Sequence, residues 1–128
     1  MISTNQLLTK AQSILVETAN QLSASDPSIH CKIGTAQHGF FEVSSSGIEV
    51  PHEYIDRIAF EIYYESTRAQ LLIIERDYDR EYDRACIRCW LQRKSRSSNP
   101  WSNAPYGKQL VTAIDKIRQV DPDARIIL

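Results

Sequence analysis

A chain of 128 residues is long enough for one ordinary domain whose hydrophobic core needs no metal or disulfide to hold it together. Hydrophobic residues make up 42% of it and charged residues 24%, a balance that excludes a disordered or fibrous chain. Fifteen basic and 16 acidic side chains give a formal net charge of -1, which excludes the simple class of strongly basic nucleic-acid-binding proteins.

The first predicted element is an amphipathic helix. Ser3 or Thr4 is a suitable N-cap, and the helical pattern ends at Asp26 and Pro27. Apolar residues recur between these points at spacings of three and four: Leu7, Leu8, Ala11, Ile14, Leu15, Ala19 and Leu22. The pattern predicts a helix that packs one apolar stripe on a sheet or on another helix.

From residue 29 to residue 94 the apolar period changes to two, which predicts successive antiparallel strands. These strands are Ile29–Ile33, Gly39–Val43 with a return at Ile48–Val50, Arg57–Glu65, Ala69–Arg76 and Ala85–Lys94. One face of the sheet is apolar. The other is polar with aromatic residues among the charges, and we expect it to carry Arg57, Glu61, Tyr63, Glu65, Arg88 and Trp90.

The segment Leu71–Ile74 is apolar on both faces of its strand. We expect cover from within the chain on both sides, and contact of the second face with a partner is the alternative. A second helix is predicted over Lys108–Val120, and Arg125–Leu128 is suited to a final strand at a sheet edge. The predicted fold class is α+β, a single domain over 1–128 with an antiparallel sheet of about five strands and both helices on one face.

The small net charge conceals a segregation of charge along the chain. Glu42–Asp83 contains eleven acids and four arginines, a net -7, whereas Arg84–Arg118 contains eight bases and one acid, a net +7. The two segments either form separate surfaces, which would attract an oppositely charged partner, or pair across neighbouring strands and cancel.

The sequence contains only weak candidates for a cofactor-binding site. The segment Gly34–Gly39 has the glycine spacing of a phosphate-binding loop, but phenylalanines follow where lysine and serine or threonine are needed. Cys86 and Cys89 form a C-x-x-C pair, yet residues three apart on a strand face opposite sides, so we expect neither a zinc site nor any other cofactor. An odd total of three cysteines fits a reducing, cytoplasmic setting.

Three histidines leave a catalytic alternative open. His30, His38 and His52 each lie beside a predicted strand end, where they would suit metal-free phosphodiester cleavage by general acid and base. Such an enzyme requires a cleft in which His38 or His52 meets a carboxylate.

The most distinctive local sequence is Arg76–Arg84, in which Tyr-Asp-Arg occurs twice at a spacing of four. Because it joins two well-patterned strands, we expect an exposed hairpin tip, or a helical turn with Tyr78 and Tyr82 on one side. A self-paired, solvated loop is the alternative to an interaction site.

A basic stretch over 84–101 offers a competing function. It interleaves cations with aromatic rings, as a stacking surface for single-stranded nucleic acid does. The residues concerned are Arg88, Trp90, Arg93, Lys94, Arg96 and Trp101.

The favoured hypothesis is a non-catalytic protein-binding domain, most specifically an immunity-type inhibitor that neutralises a basic toxin or nuclease. A secretion chaperone or adaptor has the same physical features, and a homodimer remains open. No apolar run is long enough for a membrane span. Charge reversal at Glu61 and Glu65, or at Asp79 and Asp83, is expected to weaken binding with little loss of fold. The predicted partner-binding residues are Glu61, Tyr63, Glu65, Asp77, Tyr78, Asp79, Glu81, Tyr82, Asp83, Arg88 and Trp90.

Overall fold

A computed structural model describes residues 4–35, 39–42, 57–92 and 104–128 of the chain. Within these ranges two helices and six strands follow one another. They are α1 (Thr4–Ser25), β1 (Ile29–Thr35), β2 (Gly39–Glu42), β3 (Arg57–Tyr64), β4 (Thr67–Asp79), β5 (Arg84–Gln92), α2 (Gly107–Val120) and β6 (Arg125–Ile127). The predicted return strand at 48–50 and the predicted end of the fifth strand at 93–94 lie outside the described residues.

The six strands form one sheet in the order β2-β1-β3-β4-β5-β6. Neighbouring strands are antiparallel from β2 to β5, as the alternating sequence predicts. β6 departs from the prediction because it runs parallel to β5. The physical reason is the connection: α2 lies between these strands and carries the chain back along the sheet, which makes a parallel pair.

Both helices share a single hydrophobic core with one face of the sheet, so the predicted α+β architecture is confirmed. Leu8, Leu15 and Leu22 of α1 are fully buried, as are Leu110 and Ile117 of α2. The fully buried strand residues of this face include Phe60, Ile62, Leu72, Ile74, Ile87 and Cys89. Neither helix in the described part of the chain is long and apolar enough to cross a membrane.

The double-sided apolar strand is central, as its sequence indicates. Leu72 and Ile74 of β4 face the helices and are fully buried. Ile73 faces the other way, opposite Ala59 of β3 and Trp90 of β5, and is only 4% exposed. The expectation that the chain itself covers both faces of this strand therefore holds at Ile73.

A tight turn joins β3 to β4 through Glu65 and Ser66, whose φ angles are 50° and 70°. β3 therefore ends one residue before its predicted end, and Glu65 lies in the turn rather than on the strand face. Two consecutive positive φ angles are the pattern of a type I′ hairpin, which glycine adopts without the steric cost that a Cβ imposes.

We expect Ser66→Gly to raise the free energy of unfolding by about 1 kcal/mol, because glycine removes the Cβ clash of the left-handed conformation. Urea unfolding of the variant and the parent protein measures the difference. Thr67→Gly is the matched control, since Thr67 begins β4 and glycine inside a strand is destabilising. Stabilisation by both variants, or by neither, would contradict the turn geometry.

Candidate functional site

The face of the sheet that points away from the helices carries the polar residues that the sequence predicts there. Glu61 and Tyr63 of β3 and Arg88 and Trp90 of β5 lie on this outer face, whereas Glu65 lies in the β3–β4 turn. Other described residues of the outer face include His30, Lys32, Arg57, Glu75, Asp77, Cys86 and Arg125.

Acids of the negative segment pair across strands with bases on the outer face. The carboxylate of Glu75 lies 3.5 Å from Nε of Arg57 and 3.6 Å from Nε of Arg88. Its Oε1 also accepts a hydrogen bond of 3.2 Å from Nε1 of Trp90. Asp77 pairs with Arg125 at 3.1 Å. Formal charges on this face therefore largely cancel, which is the second of the two outcomes that the segregated sequence allowed.

Glu61 is buried and paired with a base, so it is not available to a binding partner. It is 6% exposed and accepts hydrogen bonds from Nη1 of Arg68 at 3.0 Å and from the Tyr63 hydroxyl at 3.2 Å. Desolvation, followed by the charge of Glu61, raises the pKa of Tyr63. Because a lysine at this position would face Arg68 in a buried place, we now expect charge reversal at Glu61 to destabilise the fold.

Aromatic rings of the outer face also contact neighbouring side chains. The ammonium of Lys32 lies 5.2 Å from the centre of the Tyr63 ring. His30 meets the same ring edge-on, with 6.4 Å between the ring centres. Arg88 lies over the Trp90 ring at 5.7 Å. These contacts are cation–π and aromatic interactions that fix the side chains on the outer face.

The β4–β5 hairpin extends beyond its described neighbours in the sheet. Pairing of β3 with β4 is described only as far as Glu75, and pairing of β6 with β5 begins at Arg88. Four further residues of β4, from Arg76 to Asp79, pair with β5, which adds about 13 Å at the usual rise of a strand.

The segment that follows α2 supports this extension. Asp121 is 7% exposed, and its Oδ2 accepts a hydrogen bond of 3.3 Å from the backbone of Ile87. Arg84 pairs with Asp123 at 2.6 Å. On the helix side, Nη2 of Arg76 donates to Oδ1 of Asn5 at 3.3 Å. The base of the hairpin is therefore held on several sides, whereas its tip is in solvent.

The tip itself is an exposed hairpin turn, so the alternative of a helical turn is wrong. Oδ1 of Asp79 accepts hydrogen bonds from the backbone of Glu81 at 3.0 Å and Tyr82 at 3.4 Å, which is how a short acidic side chain stabilises a turn. The Tyr78 hydroxyl donates to Asp83, whose φ is 50°.

Both tyrosines of the tip are exposed, Tyr78 by 49% and Tyr82 by 65%. Arg84 lies 5.2 Å from the centre of the Tyr82 ring. A groove of about 590 Å³ beside the tip is lined by Asp77, Tyr78, Asp79, Arg80, Glu81 and Arg125. Among the described residues, the carboxylates of Asp79, Glu81 and Asp83 form no ion pair, so the tip keeps the acidic character that the outer face loses.

The three cysteines have the geometry that the strand pattern predicts. Cys89 faces the core and Cys86 the outer face, so the two thiols of the C-x-x-C pair point to opposite sides of β5. Burial raises the pKa of Cys31 and Cys89 to about 12, and burial with neighbouring carboxylates also raises that of Cys86. Thiols with such pKa values are poor nucleophiles and poor metal ligands at neutral pH.

Several candidate residues lie outside the described part of the chain. His38 and His52 of the catalytic alternative are among them, and so are Arg93, Lys94, Arg96 and Trp101 of the basic stretch. Of the described bases in that stretch, Arg84 and Arg88 each pair with an acid.

Sequence reasoning missed the residues that support the hairpin. In the sequence, Asp121 simply follows the predicted second helix, and Arg125 begins a predicted edge strand. A buried aspartate that accepts a backbone N–H 34 positions away leaves no local signal in a sequence. The chain has no significant match to any protein-family model, curated protein or solved structure.

Proposed function

We propose that the protein is a non-catalytic protein-binding domain that contacts a basic partner through the tip of the β4–β5 hairpin. Its most specific form is an immunity-type inhibitor that neutralises a basic toxin or nuclease domain. The observation that carries the proposal is the tip itself, where two exposed tyrosines stand among three carboxylates that no described base neutralises.

This arrangement supplies what a recognition site requires. Tyrosine provides a large contact area at a small cost in conformational entropy, and aromatic residues are enriched among those that dominate binding energy. The carboxylates favour a basic surface and exclude an acidic one. The hairpin is anchored at Asp121 and Arg76, so the tip is held in position before a partner binds.

The location of the unpaired acids narrows the predicted site. Glu61 is buried against Arg68, and Arg88 and Trp90 contact Glu75, so these residues stabilise the outer face. The proposed contact surface is therefore the stretch from Tyr78 to Asp83, with a formal charge of -2 from three acids and Arg80.

We expect Glu81→Lys to weaken binding of the partner about tenfold, which corresponds to about 1.4 kcal/mol. Glu81 is exposed and its side chain makes no described contact, so the fold should not change. The partner is recovered from the native source with tagged parent protein, and its affinity for each variant is measured by calorimetry at two salt concentrations.

The control is Asp115→Lys, which makes the same change of charge at an exposed position of α2. The proposal requires the control to bind like the parent protein, and it requires the parent's affinity to fall as salt rises. A partner whose binding ignores both Glu81→Lys and salt would show that the tip is not the recognition site.

A further inference from the structure

In four described ion pairs of the outer sheet face, the arginine side chain is more exposed than the acid that it pairs with. The side chains of Arg57 and Arg88 are 49% and 40% exposed, whereas Glu75, which pairs with both, is 26% exposed. Side-chain exposure is 36% against 8% for Arg68 and Glu61, and 58% against 22% for Arg125 and Asp77. The acids of these four pairs are therefore the more buried partners, and the arginine side chains are the more accessible ones.

A guanidinium group keeps hydrogen-bonding capacity after it pairs with one carboxylate, because it has five N–H donors. In Arg88 this capacity belongs to the two terminal nitrogens, because its Nε is buried and lies 3.6 Å from the Glu75 carboxylate. A face whose formal charges nearly cancel thus still offers donors for an anionic ligand.

Three of these arginines lie in one row across the sheet. Arg57 of β3, Glu75 of β4, Arg88 of β5 and Arg125 of β6 are successive register partners. Strands are about 4.8 Å apart, so the row extends over about 14 Å. Three arginines, Glu75 and the neighbouring Asp77 leave this row with a formal charge of +1.

An aromatic residue lies directly beside the row. Trp90 is half-buried, two positions along β5 from Arg88, and the Arg88 guanidinium lies over its ring at 5.7 Å. Nucleobases stack on aromatic rings and on arginine guanidinium planes, and phosphates bind the arginine N–H groups. The arginine row and the neighbouring Arg88–Trp90 pair offer groups for both kinds of contact.

We propose that this part of the outer face, the arginine row with Trp90, binds single-stranded nucleic acid. Arg57, Arg88 and Arg125 contact phosphates, and a base stacks on the Arg88–Trp90 pair. The proposal is independent of the hairpin-tip function because it requires none of the tip acids. It also differs from the predicted basic-stretch site, since its phosphate contacts come from three strands.

The test measures binding of labelled oligothymidylate and oligouridylate, each 15 nucleotides long, by fluorescence anisotropy at several salt concentrations. Three phosphate contacts on a single strand predict a slope of log K against log salt of about -2. Binding of the intact protein should therefore weaken about 16-fold between 50 and 200 mM salt. The double variant Arg57→Gln with Arg125→Gln should reduce the slope to about -0.7.

The matched control is Lys116→Gln with Arg118→Gln, which removes two exposed bases from α2. Circular dichroism and urea unfolding establish that each variant is folded. Each single outer-face variant should make the slope of log K against log salt less negative by about 0.7. The proposal is overturned if neither oligonucleotide binds at 50 mM salt, or if the control lowers the slope as much as the outer-face variant. Equal competition by oligoglutamate of the same charge would also overturn it, because the face would then accept any polyanion.

Discussion

Replacement of Phe60 by alanine is expected to lower the free energy of unfolding by about 4 kcal/mol. Phe60 lies at the centre of β3, is fully buried, and has neighbours from both adjacent strands in the core face. Removal of the ring takes away its transfer free energy and leaves a cavity that β3 cannot close, because β1 and β4 hold it on both sides. Urea unfolding followed by circular dichroism measures the loss.

The matched control for this prediction is Tyr82→Ala. Tyr82 is also aromatic but 65% exposed, so its loss should change the free energy of unfolding by no more than about 0.5 kcal/mol. Phe60→Leu retains most of the volume and should fall between the two. Similar losses for Phe60→Ala and Tyr82→Ala would mean that the helix-covered face of the sheet is not the core.

Asp121→Ala is expected to destabilise the protein by about 3 kcal/mol. Its carboxylate accepts the backbone N–H groups of Ile87 at 3.3 Å and of Asp123 at 3.1 Å, and the residue is buried. Alanine leaves the Ile87 N–H without this hydrogen bond in a buried position. Such a loss costs more free energy than the loss of a hydrogen bond that water can replace. Thermal and urea unfolding measure the change.

Asp123→Ala is the control for Asp121. Asp123 is 43% exposed at its side chain, and its one ion pair among the described residues is with Arg84, also 43% exposed, so its loss should cost less than about 1 kcal/mol. Hydrogen exchange at the Ile87 amide gives a second measurement, since Asp121→Ala should increase it and Asp123→Ala should not. Equal destabilisation by the two variants would contradict the assigned role of Asp121.

Both helices and most of the strands were predictable because they are amphipathic segments with their own period. The apolar positions of α1 and the alternation in β3 are local properties, and the structure follows them to within about a residue at most described ends. The exposed tip at Tyr78–Asp83 was predictable for the same reason, since a charged stretch between two well-patterned strands has to turn.

The direction of β6 was not predictable in the same way. A strand of three residues is too short for its sequence to indicate a neighbouring strand or a direction. The parallel pairing of β6 with β5 results from the path of α2. Support of the hairpin by Asp121 depends on that same path, since it brings the end of α2 beside Ile87.

The sequence by itself determined the helices, the strand pattern, the hairpin tip and the existence of two oppositely charged segments. Only the tertiary structure decided what those charges do. Cross-strand register places Glu75 between Arg57 and Arg88 and buries Glu61 beneath Arg68, whereas the tip acids form no ion pair with a described base. The reason is physical: charge interactions depend on distance and exposure in space, and neither is encoded in the linear spacing of residues on different strands.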